Sequence, residues 1–355
     1  MKVILLAPTP PPAGGIAGWT VRMMQSELKN GWSVEVVDEK AIGSRQVFGK
    51  AGRVNLWEEF KRSRGIWKGL KQALKDPEAK VVHSCIPSTT FAMLREYLCA
   101  GITHRRGRKF IMHFRCTVPN TTKGRAGRMM LKALCHRCDM IFSLNEQTSR
   151  YLNTLTKTPT RLIPNFIRSE ELTENHEIGE KLRNAVYIGG IVKNKGIPDL
   201  LTLAEKRPDI SFRLVGKGDA SFEEEAKKKG LTNVVFTGPK DREGVKEELR
   251  RADVFLFMTS FRGEGFSNAL CEAMAAGVPC IATDWAANRD MLENKGGVVV
   301  PVGGVAEAEK ALADMESAET RKTMSEWNIG KVKASYLESV VLGQYVDAYE
   351  ELSLN

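Results

Sequence analysis

Short apolar runs alternate with longer stretches of helical periodicity along this chain of 355 residues. Residues 3–7, VILLA, are apolar without interruption, as expected of a strand buried on both faces. A proline-rich loop and Gly14-Gly15 come next, then a helical pattern from Ile16 to Lys29 that Gly31 ends. Ser33 to Val37 reads as the following strand. Apolar runs recur at Val81-Val82, Phe110 to Met112, Met140 to Phe142 and Arg161 to Ile163, with helical spans between several of them. The pattern predicts an α/β fold, a parallel sheet with helices on both faces.

Residues 166–184 are polar and acidic, after which the pattern restarts. Strands are expected at Ala185 to Ile188, Phe212 to Val215, Val234 to Thr237, Val254 to Phe257, Cys280 to Thr283 and Val298 to Val300. The expected organisation is a first domain over 1–167, a linker over 168–184, a second α/β domain over 185–330 and a terminal helix over 331–355. In that last stretch Leu337, Val341, Tyr345 and Ala348 share one helical face, which is expected to pack back on the first domain.

Length and composition narrow the setting. A chain of this size accommodates two ordinary domains. It has no apolar run of the roughly 18–20 residues that cross a bilayer, and MKVILLAP is too short for a signal peptide, so a cytoplasmic protein is expected. The seven cysteines are odd in number and irregularly spaced, which fits reduced thiols. Cys135-x-x-Cys138 has no second pair to complete a zinc site. The net charge of +10 is unevenly spread, with residues 1–167 near +17 and residues 168–355 near −7. A basic half calls for an anionic partner: a membrane surface, a phosphorylated acceptor or nucleic acid. Nucleic acid is disfavoured because no base-stacking aromatic array or familiar binding motif appears.

The most informative segment is RGEGFSNALCEAMAAGVPCIATD, from Arg262 to Asp284. Gly263 and Gly265 free the backbone around Glu264. Ser267 or Asn268 can cap the following helix, leaving the amides around Asn268, Ala269 and Leu270 open to a diphosphate. Glu272 would repel phosphate but can accept hydrogen bonds from the vicinal hydroxyls of a ribose. Gly277 and Pro279 end the helix before the next strand.

Other candidates fall just after predicted strands, where ligands of open parallel sheets bind. Gly14 and Gly15 permit close backbone approach to phosphate or sugar. His83 and His113 end strands, and His113 can hydrogen-bond a hydroxyl or phosphate oxygen. The Lys195 ammonium can offset charge on a diphosphate leaving group. Gly216-Lys217-Gly218 is a second close-approach turn, and Gly238-Pro239-Lys240 can line a base pocket.

Together these motifs resemble the GT-B retaining glycosyltransferases of family 4 over almost the whole chain. The resemblance rests on the Gly-Gly first loop, V-V-H at 81–83, I-M-H at 111–113, I-P-N at 163–165, Y-I-G-x-x-x-x-K-G at 187–196, L-V-G-x-G at 214–218, F-x-G at 236–238 and E-G-F-S-N-A-L-C-E-A-M-A-A-G-x-P at 264–279. It implies two Rossmann-like domains facing each other across a cleft, with a nucleoside diphosphate sugar bound mainly to the second and an acceptor entering through the first. Carried over, Glu264 and His113 contact the donor sugar, Glu272 the ribose, Lys195 the diphosphate and the Gly15 backbone the phosphates. Gly265, Phe266, Ser267, Asn268, Ala269 and Leu270 form the donor-binding turn. The resemblance implies no metal cofactor, and the chain has no D-x-D pair to hold one. One position departs from the family pattern: Gly190 stands where an arginine is common, and Lys193 or Lys217 is the expected substitute, with Arg115 and Arg262 as further, less favoured alternatives.

On the acceptor side, Trp57 to Lys75 combines Trp57, Phe60, Trp67, Leu70 and Leu74 with six cationic residues, a composition suited to an anionic membrane surface. The expected function is hexosyl transfer to a glycan or lipid-linked acceptor at the inner face of the cytoplasmic membrane. A nucleotide-sugar epimerase or hydrolase, or a non-catalytic basic binding module, is the alternative.

Overall fold

The computed structural model describes residues 1–11, 14–40, 56–86 and 88–354. The chain forms two compact units, residues 1–165 with 341–355, and residues 166–340.

The first unit runs β1 (Lys2–Ala7), α1 (Gly15–Gln25), β2 (Ser33–Asp38), α2 (Leu56–Ala73), β3 (Ala79–Ile86), α3 (Thr90–His104), β4 (Lys109–Phe114), α4 (Val118–Thr121), α5 (Gly124–Arg137), β5 (Met140–Ser143), α6 (Glu146–Asn153) and β6 (Thr160–Leu162). Its six strands lie in the order β2-β1-β3-β4-β5-β6, and every pairing is parallel. The apolar runs become strands because helices cover both faces: Val3 to Ala7 are wholly buried, as are Val81, Val82 and Phe110 to Met112. Ile66, Leu70 and Ala73 of α2 and Met93, Cys99 and Ala100 of α3 join Leu131 and Leu134 of α5 in one core layer.

The second unit runs β7 (Asn184–Ile188), α7 (Ile197–Lys206), β8 (Ser211–Val215), α8 (Ser221–Lys228), β9 (Val234–Gly238), α9 (Arg242–Arg250), β10 (Val254–Phe257), α10 (Asn268–Ala275), β11 (Cys280–Thr283), α11 (Asn288–Leu292), β12 (Gly297–Val300), α12 (Val305–Asp314) and α13 (Ala318–Ser335). Its order is β12-β11-β10-β7-β8-β9, again all parallel. The order reverses between β7 and β10, so the crevice at their carboxyl ends is the topological switch point of this sheet.

Residues 168–184, expected to be a linker, pack within the second unit. Buried Arg321 on α13 donates to the carbonyls of Gly179, Glu180 and Met315 and pairs with Asp253. Asp253 also accepts from the Arg183 and Asn184 amides. The backbone of this segment is thus held by hydrogen bonds to the buried Arg321–Asp253 pair. The last helix, α14 (Glu338–Leu354), enters the first unit from Val341. Tyr345 and Tyr349 are buried there beside Trp19 and Trp32, as the helical spacing of Val341, Tyr345 and Ala348 anticipated. Leu337, expected on the same face, instead precedes the helix and bridges Ile167 within the second unit.

Candidate functional site

The loops after β7, β8 and β9 are laced together at the carboxyl edge of the second sheet. The Gly189 amide donates to Val215 O, the Gly216 amide to Gly238 O, the Ile191 amide to Lys217 O and the Asp219 amide to Ile191 O. Two glycines make this approach possible. A Cβ at Gly216 (φ +151°) would overlap the Gly189 carbonyl oxygen, and one at Gly196 (φ +83°) the Met258 carbonyl oxygen. The loop after β7 is also pinned to the loop after β10 by the Ser260 amide, which donates to Asn194 O at 2.9 Å.

Lys195 and Glu264 meet on this frame. Lys195 Nζ donates to Glu264 Oε2 at 2.5 Å, and the two side chains are 20% and 12% exposed. The ammonium sits 5.0 Å from the Phe261 ring centroid and 5.6 Å from that of Phe257, which favours a cation electrostatically. Beneath them the Tyr187 hydroxyl donates to Gly190 O at 2.9 Å. Burial, with the Glu264 charge adding to it, holds that hydroxyl well above the usual phenol range. The Tyr187 clasp and the Phe257–Phe261 cradle were not anticipated from sequence. The aromatic residue ahead of the first glycine of Y-I-G and the one ahead of Arg262 are the signals that could have found them.

α10 begins as expected, with Ser267 as its cap. The Ser267 hydroxyl accepts from the Leu270 amide at 3.1 Å, so that amide is used by the cap and is not open to a ligand. This corrects the expectation of three open amides at Asn268, Ala269 and Leu270. Gly265, Phe266 and Ser267 are buried, and the Phe266 ring packs edge-on against Tyr336 at 5.3 Å. Glu272 is half-buried on α10. Lys193, Lys217 and Pro239 are exposed along the same edge. Gly190 is sterically unconstrained, since the nearest atom to a Cβ there is Val192 Cγ2 at 3.9 Å.

The first unit holds the other candidates. Gly14 and Gly15 are exposed at the start of α1, with no atom within 4 Å of an added Cβ. Gly14 has extended backbone and no side chain caps the helix. His113 does not reach a solvent-facing edge: it is wholly buried, because β4 is an interior strand under α14 and α1. Its Nδ1 lies 3.1 Å from His83 Nε2, and Arg115 donates to its Nε2 at 3.3 Å. His83 Nδ1 in turn lies 2.7 Å from the Tyr349 hydroxyl. Arginine is donor-only, so His113 carries its proton on Nδ1 and donates to His83, which donates to Tyr349. Burial, then the Arg115 charge, lowers both imidazoles, His83 to about 3 and His113 well below its usual value.

Among the described residues, His83, Cys85 and His113 are the group with metal-ligand atoms in mutual reach. A metal there would need the His113 Nδ1 lone pair, which moves its proton to Nε2, facing an Arg115 N–H. Two donors would then oppose each other, so these residues do not fit a cation.

The helix expected over Trp57 to Lys75 forms as α2, but Ile66, Leu70 and Leu74 face the core. Trp57 and Phe60 are 72% and 51% exposed and stack on each other. Phe91, Leu94 and Leu98 on α3 and Met129 on α5 are further exposed apolar side chains of this unit. No helix among the described residues is long and apolar enough to cross a membrane.

An ammonium and a carboxylate side by side, on a rigid edge with exposed lysines, suit a ligand that is both phosphorylated and polyhydroxylated. Residues 168–329 match the family model described as glycosyl transferases group 1. The putative glycosyltransferase EpsF of Bacillus subtilis is 30% identical over 159 residues, covering 39% of this chain and 40% of that protein. The phosphatidyl-myo-inositol mannosyltransferase of Mycobacterium leprae is 30% identical over 149 residues, covering 41% and 39%. The chain thus spans about two fifths of the length of these relatives. Two solved structures share the whole fold. Sucrose-phosphate synthase from Thermosynechococcus elongatus has a TM-score of 0.78 at 17% identity, covering 99% of this chain and 98% of the other. HepE of Anabaena with UDP has a TM-score of 0.74 at 14% identity, covering 99% and 100%. The chain thus has two six-stranded parallel sheets of GT-B type, and its segment 168–329, which holds the Lys195–Glu264 edge, is similar to the group 1 glycosyltransferases.

Proposed function

We propose that the protein transfers a hexose-type sugar from a nucleoside diphosphate sugar to a hydroxyl of a glycan or lipid-linked acceptor, with retention of configuration and without a metal cofactor. The Lys195–Glu264 pair at the switch point of the second sheet carries the reading. Glu264 accepts hydrogen bonds from donor-sugar hydroxyls, and Lys195 neutralises charge on the departing diphosphate. Glu272 accepts from the ribose. The bond from the anomeric carbon to the diphosphate oxygen breaks, a bond to the acceptor oxygen forms on the same face, and the acceptor proton leaves with the diphosphate. Proximity and leaving-group stabilisation carry the catalysis, since no side chain among the described residues is assigned as a covalent nucleophile.

HepE structures contain UDP and UDP-glucose, which makes uridine diphosphate sugars the first donors to test. Exposed Trp57 and Phe60, set among the cationic residues of the +17 half, support docking at the anionic inner face of the cytoplasmic membrane. Cell-surface polysaccharide, lipopolysaccharide or glycolipid synthesis is the setting that fits. Saturation-transfer NMR against a panel of nucleotide sugars tests the donor half, and a protein that binds none of them removes the transferase reading.

A further inference from the structure

Arg115 is a buried cation without a counter-charge. It follows β4 at the carboxyl edge of the first sheet and is 7% exposed. Its guanidinium donates to His113 Nε2 at 3.3 Å and to Asn165 Oδ1 at 2.5 Å, and lies 4.6 Å from the centroid of the Trp19 ring. All three partners are neutral. No carboxylate among the described residues pairs with it: the buried Glu39 and Glu96 of the same unit are bonded to Arg95. Charges withdrawn from water are ordinarily paired, because an isolated one is costly.

Around this cation Arg115 Nε, Trp19 Nε1 and the Tyr345 hydroxyl are buried without a hydrogen bond of full geometry, and Trp19 and Arg115 both turn donors toward the Tyr345 oxygen. The Trp19 and Tyr345 rings are 6.1 Å apart. A positive charge, an indole N–H and a guanidinium N–H meet one phenol hydroxyl, whose oxygen can accept from them, so donors outnumber acceptors and the charge stays uncompensated. That chemistry is the complement of an oxyanion.

We infer that Arg115, with Trp19 and Tyr345, binds a phosphate-type oxyanion of a ligand in the first unit. The identity of the molecule bearing the phosphate, donor or acceptor, rests on the glycosyltransferase reading; the anion site itself does not. The Arg115 fork is oriented in advance by Asn165 and by the His113–His83–Tyr349 chain, so it meets the anion without reorganising.

Calorimetric titration of the full chain with pyrophosphate, UDP and phosphatidylcholine vesicles containing phosphatidic acid tests the site. Arg115→Met should weaken at least one of these by about tenfold or more, while its Tm without ligand stays level or rises, because the unpaired charge is gone. Trp19→Phe keeps an aromatic ring, though a smaller one, and removes the donor, and should weaken the same probe by about threefold; it serves alone if Arg115→Met does not fold. Loss for pyrophosphate and UDP assigns the anion to the donor, and loss for the vesicles alone assigns it to the acceptor. Unchanged binding of every probe by a folded variant, or no binding of any probe by the wild type, overturns the inference. A wild type that binds pyrophosphate through Arg115 but no nucleotide sugar keeps the anion site and removes the transferase reading.

Discussion

Lys195 Nζ and Glu264 Oε2 lie 2.5 Å apart although 69 residues separate them in the chain. Lys195 comes from the loop after β7 and Glu264 from the loop after β10, the two strands between which the sheet order reverses. Each side chain bonds the other, so under the proposed function a donor sugar must share or exchange this bond to engage them.

Glu264→Ala should therefore abolish turnover, with kcat reduced by about 10²–10³-fold or more. It should also leave Lys195 without its partner at a mostly buried position, lowering stability by about 1–3 kcal/mol. Turnover measured with the donor identified by NMR, beside a urea melt, checks both. Retained activity would overturn the assignment of Glu264.

The glycines of the edge separate into required and optional ones. Gly216→Ala drives a Cβ into the Gly189 carbonyl and should cost about 1–3 kcal/mol or more through backbone strain and displaced ladder bonds. Gly190→Ala meets only Val192 at 3.9 Å and should stay within about 0.5 kcal/mol of wild type. Denaturant melts of the two variants check the contrast.

Gly190→Arg fits the same open space and places a cation where the family pattern that the sequence resembles implies one. A gained charged hydrogen bond is worth about 1.5–3 kcal/mol, or roughly ten- to hundredfold in nucleoside diphosphate affinity. Titration with UDP reads this directly, and unchanged affinity means that Lys193 or Lys217 already completes the diphosphate contact.

The buried histidine chain sets an acid limit on stability. His83 is lowered in the folded protein from its ordinary 6.5 to about 3, by burial first and the Arg115 charge second. Between those values the unfolded chain binds more protons, so stability rises with pH across this window and is lost as pH falls below about 6.5 toward about 3. Thermal melts from pH 7 to pH 4 should show a steep decline in wild type and a flatter one in His83→Gln.

Membrane docking should depend on Trp57 and Phe60. Trp57→Ser with Phe60→Ser removes two exposed aromatic side chains, each worth about 1.5–3 kcal/mol when fully buried. Sedimentation with anionic vesicles should fall at least tenfold, and raising salt should weaken wild-type binding as well. Binding that ignores both changes would remove the membrane from the proposed function.

The sequence by itself determined the α/β alternation, every strand position to within a few residues, the capped start of α10 at Ser267 and the return of the last helix. These depend on local patterning: continuous apolar runs, helical spacing and turn residues that act over a few positions. It also named Lys195 and Glu264 separately. Only the tertiary structure decided that they meet, because their contact depends on strand order and on the glycine-permitted closeness of the loops after β7 and β10. The tertiary structure likewise buried His113 within a hydrogen-bonded chain, assigned the Leu270 amide to its cap, drew residues 168–184 into the second unit through Arg321 and Asp253, and left Arg115 inside without a counter-charge. Burial and pairing are non-local properties, set by which elements cover a side chain, and a one-dimensional pattern carries no record of them.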